Sequence, residues 1–226
     1  GDAQLIVDFF TEKLGRLSFM VRIPKSSKGR LKRQLFQPLM LLQLEFDYRP
    51  KSNLQRIREA SIGYAFMDIP FSPYKLGISM FLAELLSYTT KNEQANASLY
   101  FFIQDSIEWL DRVEGSFSNF HIVFMIRLTS FLGFSPNIES GMSGDYFDLV
   151  DGCFVPYVPT HVHYLNREDS LRLVALLRLE YKTMHLYTMS RMERNRGVEV
   201  ILEYFKLHVP GFPEMRSFSV LKELFA

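Results

Sequence analysis

Residues 13–33 read KLGRLSFMVRIPKSSKGRLKR, and their pattern sets the fold class. Leu17, Phe19, Val21 and Ile23 alternate with Arg16, Ser18, Met20 and Arg22, which is the period of a strand buried on one face. The face bearing Arg16 and Arg22 is expected to be solvated. Pro24–Lys32 is a polar, basic loop containing Gly29. The stretch holds Lys13, Arg16, Arg22, Lys25, Lys28, Arg30, Lys32 and Arg33, and no acid follows until Glu45. Cations spaced along a hairpin and its loop neutralise phosphates and release counterions, which gives salt-dependent, sequence-tolerant binding. Phe10 and Phe19, where exposed, would stack bases. A solvated strand face with a plain loop accounts for the same residues.

Upstream, QLIVDFF (residues 4–10) is a strand, and residues 11–15 form a turn. Downstream, LMLLQLEFDY (39–48) is a third strand and LQRIREASIGYAF (54–66) a fourth, with a turn at Pro50 between them. A small Greek-key barrel of the OB type closes with five strands. The expected fifth is a first strand lying before Gly1.

After Ser72-Pro73, an N-cap followed by proline at the first helical position, the period becomes helical. Residues 73–88 place Leu76, Met80, Ala83 and Leu86 on one stripe, widened by Phe81 and Leu85. Residues 96–114 form a second helix with Leu99, Phe102, Ile103, Ser106, Ile107 and Leu110 inward. Residues 118–134 form the most apolar helix, ending at Gly133 ahead of Pro136. Residues 135–167 are irregular, with a short hairpin at 146–155. Further helices are expected at 169–189, 193–207 and 217–225. The fold class is therefore α+β: an OB-type barrel at 1–68, its first strand apparently missing, then an all-α helical domain at 69–226 with an irregular insertion at about 135–167.

Composition supports a globular protein with a substantial core: 226 residues, 47% hydrophobic, mean hydropathy −0.01. The formal net charge is only +1, but residues 1–44 carry eight bases against three acids (Asp2, Asp8, Glu12). That asymmetry suits a nucleic-acid face at one end of the chain. One cysteine, Cys153, builds neither a disulfide framework nor a cysteine zinc site, which fits an intracellular chain. No apolar run has the length of a membrane span.

No nucleophile elbow, phosphate-binding glycine loop or dinucleotide fingerprint is present, and no catalytic constellation emerges. Glu108 and Asp111 read as an ordinary solvated helix face. His161 and His163 with Cys153 make three donors where structural zinc takes four, so hydrogen-bonding histidines are the stronger reading. His121, His185 and His208 fall on helices, His121 as a core or cap residue. Arg127 is the only formal charge in the most apolar helix, and a lone buried cation is costly. It meets a buried acid or lines an anion-receiving pocket. Arg191, Arg194 and Arg196 form a second basic cluster, either a solvated face or a partner site.

The order of segments resembles the RecO family of bacterial recombination mediators, nearly end to end and most closely its Bacteroidetes branch. The hairpin GDAQLIVDFFTEKLGRLSFMVR, the strands LFQPLMLLQLEFDYR and NLQRIREA, the helix NFHIVFMIRLTSFLGFSPN and the closing MRSFSVLKEL carry the likeness. The resemblance implies an OB fold, a helical domain and often a four-cysteine zinc module near residues 145–165. With only Cys153 that module is lost here, and packing by Tyr146, Phe147, Phe154 and Tyr157 must hold the loop. The resemblance further implies a non-enzymatic cytoplasmic protein, nucleoid-associated and without cofactor or metal. Such a protein binds single- and double-stranded DNA, anneals strands coated by single-strand-binding protein, and works with RecR to help RecA load. Arg16, Arg22, Lys25, Lys28, Arg30, Lys32 and Arg33 correspond to its DNA face in type and region. Arg127, Phe124, Phe131 and Arg216 are the candidates for docking the acidic, phenylalanine-ending tail of single-strand-binding protein, because a guanidinium beside apolar rings suits a terminal carboxylate. The rival class is a scaffold or small-ligand protein working through its helical domain, with the barrel as a tether.

Overall fold

The computed structural model describes residues 3–23, 31–139 and 145–224. Two compact units divide the chain, Gly1–Arg112 and Val113–Ala226.

In the first unit, β1 (Ala3–Thr11) and β2 (Gly15–Ile23) form an antiparallel hairpin with Val7 opposite Phe19 and Asp8 opposite Ser18. Gly15 makes the turn at φ +66°, where a Cβ would stand 2.4 Å from the backbone of Gln94, so no other residue fits. As the alternation predicts, Phe19 and Val21 are buried. Phe19 meets Phe9 and Phe46 edge-to-face, with ring centroids 5.5 and 4.8 Å apart.

The next hairpin pairs β3 (Leu42–Phe46) with β4 (Ile57–Ile62), Leu44 opposite Ala60. Both strands are shorter than the sequence suggested. Leu39 takes a left-handed φ of 61°, which breaks the extended run ahead of β3. Beyond β4, the amides of Gly63 and Tyr64 both turn onto the Leu41 carbonyl. Gln55 joins the hairpins: its N–H donates to Ser18 O (2.8 Å), and its carbonyl accepts from Met20 N (3.0 Å). Among the described residues the strands form two two-stranded ladders linked at this bridge, not a closed barrel.

Two helices complete this unit. Ser72 caps α1 (Pro73–Thr89) by accepting from Lys75 N, with Pro73 at the first position. The buried face of α1 differs from the expected stripe. Leu76 and Met80 are exposed, while Lys75, Ile78, Ser79, Phe81, Leu82, Leu85, Leu86 and Thr89 are buried. A lysine lies on the inward face, which hid that face from a count of apolar positions. In α2 (Ala97–Arg112), Leu99, Ile103, Ser106, Ile107 and Leu110 are buried as expected, and Phe102 is half-buried.

The second unit opens with α3 (Phe120–Phe131), buried on nearly all sides. It ends at Gly133 (φ +82°) with Phe134 N donating back to Thr129 O, the bond pattern of a glycine-terminated helix. A three-stranded sheet follows, with β5 (Tyr146–Asp148) between β6 (Cys153–Val155) and β7 (Tyr164–Leu165). Phe147 is fully buried and meets Phe154 edge-to-face. Tyr146 packs on Tyr164, but Tyr157 is exposed and contributes no core, contrary to expectation. The helix expected over 169–189 stops early, as α4 (Arg167–Leu177). Tertiary packing ends it. Tyr181 leaves the helical path to stack on Phe120 at 4.8 Å, and the Thr183 hydroxyl accepts from Glu180 N. α5 (Arg191–His208) begins with a reciprocal Ser190–Glu193 capping box, and α6 (Ser217–Leu224) closes the chain. The sheet and helices share a core of Phe147, Leu149, Leu165, Leu173, Val200 and Tyr204.

Candidate nucleic-acid interface

The hairpin arm separates its cations into two kinds. Arg22, on the outer face of β2, is exposed, as are Lys32 and Arg33 where the chain enters a short 3-10 turn at Arg33–Phe36. None of the three makes an ion pair with a described acid. Lys25, Lys28 and Arg30 lie outside the described residues. Arg16 is different. One guanidinium nitrogen is 2.8 Å from Asp8 Oδ2, another donates to Ser87 O, and only 16% of its side chain is exposed. Arg16 ties the hairpin to α1. Phe19 is fully buried and Phe10 half-buried, so Phe19 offers no ring for stacking.

Asp111 corrects the reading of α2. It is buried, and its carboxylate accepts from the amides of Met67 (2.9 Å), Asp68 (3.0 Å) and Ile69 (2.9 Å) and from the Tyr64 hydroxyl (3.3 Å). Burial pushes its pKa up, but the amide and hydroxyl bonds outweigh burial and hold it below the usual carboxylate range. Lys75 Nζ, also buried, donates to Asp111 O (3.0 Å) and pairs with Asp68 (2.6 Å). This clasp fixes the chain between β4 and α1. Asp111 lies 36 to 47 residues from the groups it holds, and only the lysine inside α1 hinted at the clasp. Glu108 is the ordinary half of the pair, bound to Arg112 one turn on.

In the second unit Arg127 is not a buried cation. Its side chain is 41% exposed, 3.5 Å from Glu180 and over the Tyr181 ring at 5.4 Å. Phe124 is fully buried against Phe120, Phe131 is half-buried, and Arg216 is exposed just before α6. The arginines of the second basic cluster are engaged. Arg191 binds Lys222 O and Glu223, Arg194 binds Asn119 and Met189 O, and Arg196 binds Asp169. His161 pairs with Asp148 (3.1 Å) and His163 with Glu203 (2.9 Å). Among the described residues no group of His, Cys, Asp and Glu has metal-holding geometry. His121 is fully buried, and desolvation, then the charge of Arg194, lowers its pKa to about 3. Burial, then the nearby Cys153, pushes the Tyr204 hydroxyl up to about 12, and it donates to Phe134 O at 2.9 Å. Among the described residues no helix is long and apolar enough to cross a membrane.

Two family models match the chain: recombination protein O, N terminal, over residues 1–66, and recombination protein O, C terminal, over residues 70–217. Similar proteins include one from Phocaeicola vulgatus, 47% identical over all of this chain and 93% of its own length, and one from Bacteroides fragilis, 45% identical over 99% and 93%. A protein from Flavobacterium psychrophilum is 30% identical over 100% of the chain and 93% of its own length. Each of the three is named DNA repair protein RecO.

Proposed function

The chain belongs to the RecO family of DNA repair proteins, and on that premise we propose that it is a recombination mediator binding single- and double-stranded DNA through its basic arm. It brings complementary strands together and, with RecR, helps load RecA onto strands coated by single-strand-binding protein. The reading assigns no catalytic step and no cofactor, and sets the work in the cytoplasm at the nucleoid. One observation carries it. Arg22, Lys32 and Arg33 stand exposed on the arm without an acid partner among the described residues, as phosphate-neutralising cations must. Screening phosphate repulsion and concentrating strands on one surface suffices to speed their pairing. Lys25, Lys28 and Arg30 extend the same run. Arg16 supports the arm by fixing it to α1.

Fluorescence anisotropy with a labelled single strand, titrated from low to physiological salt, tests this. Reversing Lys28, Arg30, Lys32 and Arg33 to glutamate should weaken low-salt binding more than tenfold and lower the salt slope by about 3. Identical curves for the two proteins, or no binding by the unaltered chain, would remove the proposal. The docking of the single-strand-binding protein tail is a second element of it, resting on Arg127, Phe131 and Arg216. Arg127→Ala should weaken an acidic, phenylalanine-ending peptide several-fold, and unchanged affinity would discard that assignment.

A further inference from the structure

We propose that the hairpin tip between β3 and β4 is a second contact for single-stranded nucleic acid, with Arg49, Lys51 and Arg56 on phosphates and the Tyr48 ring as a stacking platform for a base. The inference rests on the DNA-binding reading above and adds a site to it.

Three observations carry it. The tip is basic and unpaired: Arg49, Lys51 and Arg56 are exposed and have no acid partner among the described residues, because the nearby Glu45 and Asp47 face Arg58 instead (3.8 and 3.4 Å). Beside them Tyr48 exposes 47% of its surface. The tip is also built rather than loose. The Gln55 side chain, 2% exposed, accepts from Arg49 N (2.9 Å) and donates to both Arg49 O (2.9 Å) and Ser52 O (2.8 Å). Ser52 N closes the turn on Arg49 O, and the Ser52 hydroxyl donates to Leu54 O. A buried amide that fixes a loop's carbonyls and amide holds its side chains ready, so little ordering cost remains on binding.

The third observation joins the tip to the arm. Gln55 bridges Phe19 of β2 in the parallel sense, and both side chains point inward. Successive side chains alternate across a sheet, so Arg56 falls beside Met20 on the outer face, the face that also carries Arg22. Arg22 and Arg56 therefore share one face, and the tip that carries Tyr48 and Lys51 continues directly from Arg56 through Gln55. Cations tracking a backbone beside an aromatic ring are the arrangement by which proteins hold single strands irrespective of sequence.

The test uses the whole chain, a labelled oligothymidylate and an abasic strand of equal length carrying the same phosphates. The combined Arg49→Gln, Lys51→Gln, Arg56→Gln variant should bind both strands about tenfold more weakly, with a salt slope lower by about 2. Tyr48→Ala should lose about fivefold or more on oligothymidylate and nothing on the abasic strand, while Tyr48→Phe keeps the affinity. These side chains are exposed, so all variants should melt at the temperature of the unaltered chain. A triple variant that binds like the unaltered chain, while the arm reversal still weakens binding, overturns this site and leaves the arm standing. Equal losses on both strands for Tyr48→Ala overturn the stacking role. An oligoglutamate that bound as tightly as the strand and lost as much in the triple variant would reassign the tip to an acidic polypeptide. No binding of either strand by the unaltered chain overturns both readings together.

Discussion

The cations of the two N-terminal hairpins and the arginines of α5 are used in opposite ways. The N-terminal unit buries Lys75 and Asp111 in a clasp of hydrogen bonds, and among the described residues its exposed cations Arg22, Lys32, Arg33, Arg49, Lys51 and Arg56 have no acid partner. The C-terminal unit holds its deepest titratable group, His121, neutral, and ties the arginines of α5 to acids, an amide and carbonyls. Surface cations with acid partners serve the fold, and those without are available to a polyanion. The nearly neutral total charge hides this division.

Substitutions can break the comparison, and the clasp should give the largest effect. Asp111→Ala leaves the buried amide of Ile69 and the part-buried amides of Met67 and Asp68 without their acceptor. Leaving one buried and two part-buried donors unmet costs about 2–4 kcal/mol, read as a fall in the denaturant midpoint of the N-terminal unit. Asp111→Asn, which keeps one acceptor oxygen, should lose less. A cost below about 1 kcal/mol would show that water replaces the carboxylate and that the clasp is incidental. Because the folded pKa is depressed, the Asp111 contribution is fully present above the ordinary carboxylate range and is lost as pH falls below that range through the lower folded value.

Much of this fold was legible in the sequence, and the failures share one physical cause. Helix starts and stops were readable where their signals are local, as at Ser72 before Pro73 and Gly133 after α3, whereas the Ser190–Glu193 capping box that starts α5 two residues ahead of the expected position went unread. Strand alternation in β2 was readable for the same reason. The inward face of α1 was misread because Lys75 lies on it, and what makes a buried lysine tolerable is Asp68 together with a carbonyl 36 residues away. Asp111 resembled a solvated acid because its partners lie 42 to 47 residues upstream. The early end of α4 has no proline or glycine to announce it, only the docking of Tyr181 on Phe120. The candidate site was half-legible. The arm stood out as a charge run, whereas the β3–β4 tip has only scattered cations and becomes a surface once Gln55 links it to β2.

His121 gives the next effect, as a pH dependence. Its folded pKa of about 3 lies well below the value of an unfolded histidine, near 6.5. Between those pH values the unfolded chain binds a proton that the folded chain refuses, so stability falls as pH drops through this window. The slope approaches about 1.4 kcal/mol per pH unit from this residue alone. His121→Gln cannot take up that proton, so the slope between pH 6 and 4.5 should flatten, by comparison of denaturation curves at each pH. An unchanged slope would mean that His121 is protonated in the folded state, and its contrast with the buried carboxylate of Asp111 would disappear.

The smallest effect sharpens the contrast most. Arg196 and Arg22 are both exposed arginines, but Arg196 sits 3.1 Å from Asp169 and Arg22 has no described acid partner. An exposed ion pair contributes under about 1 kcal/mol, so Arg196→Gln should shift the denaturant midpoint barely and leave strand affinity unchanged. Arg22→Gln should do the reverse, with stability constant and strand affinity a few-fold weaker at low salt, by the loss of one phosphate contact. If both substitutions weakened strand binding equally, pairing would not be what distinguishes the two surfaces, and a cation anywhere on this protein would serve DNA equally well. If only Arg22 mattered, the absence of an acid partner would itself be the mark of the binding face, and the cations of the β3–β4 tip, unpaired in the same way, would be the next to follow it.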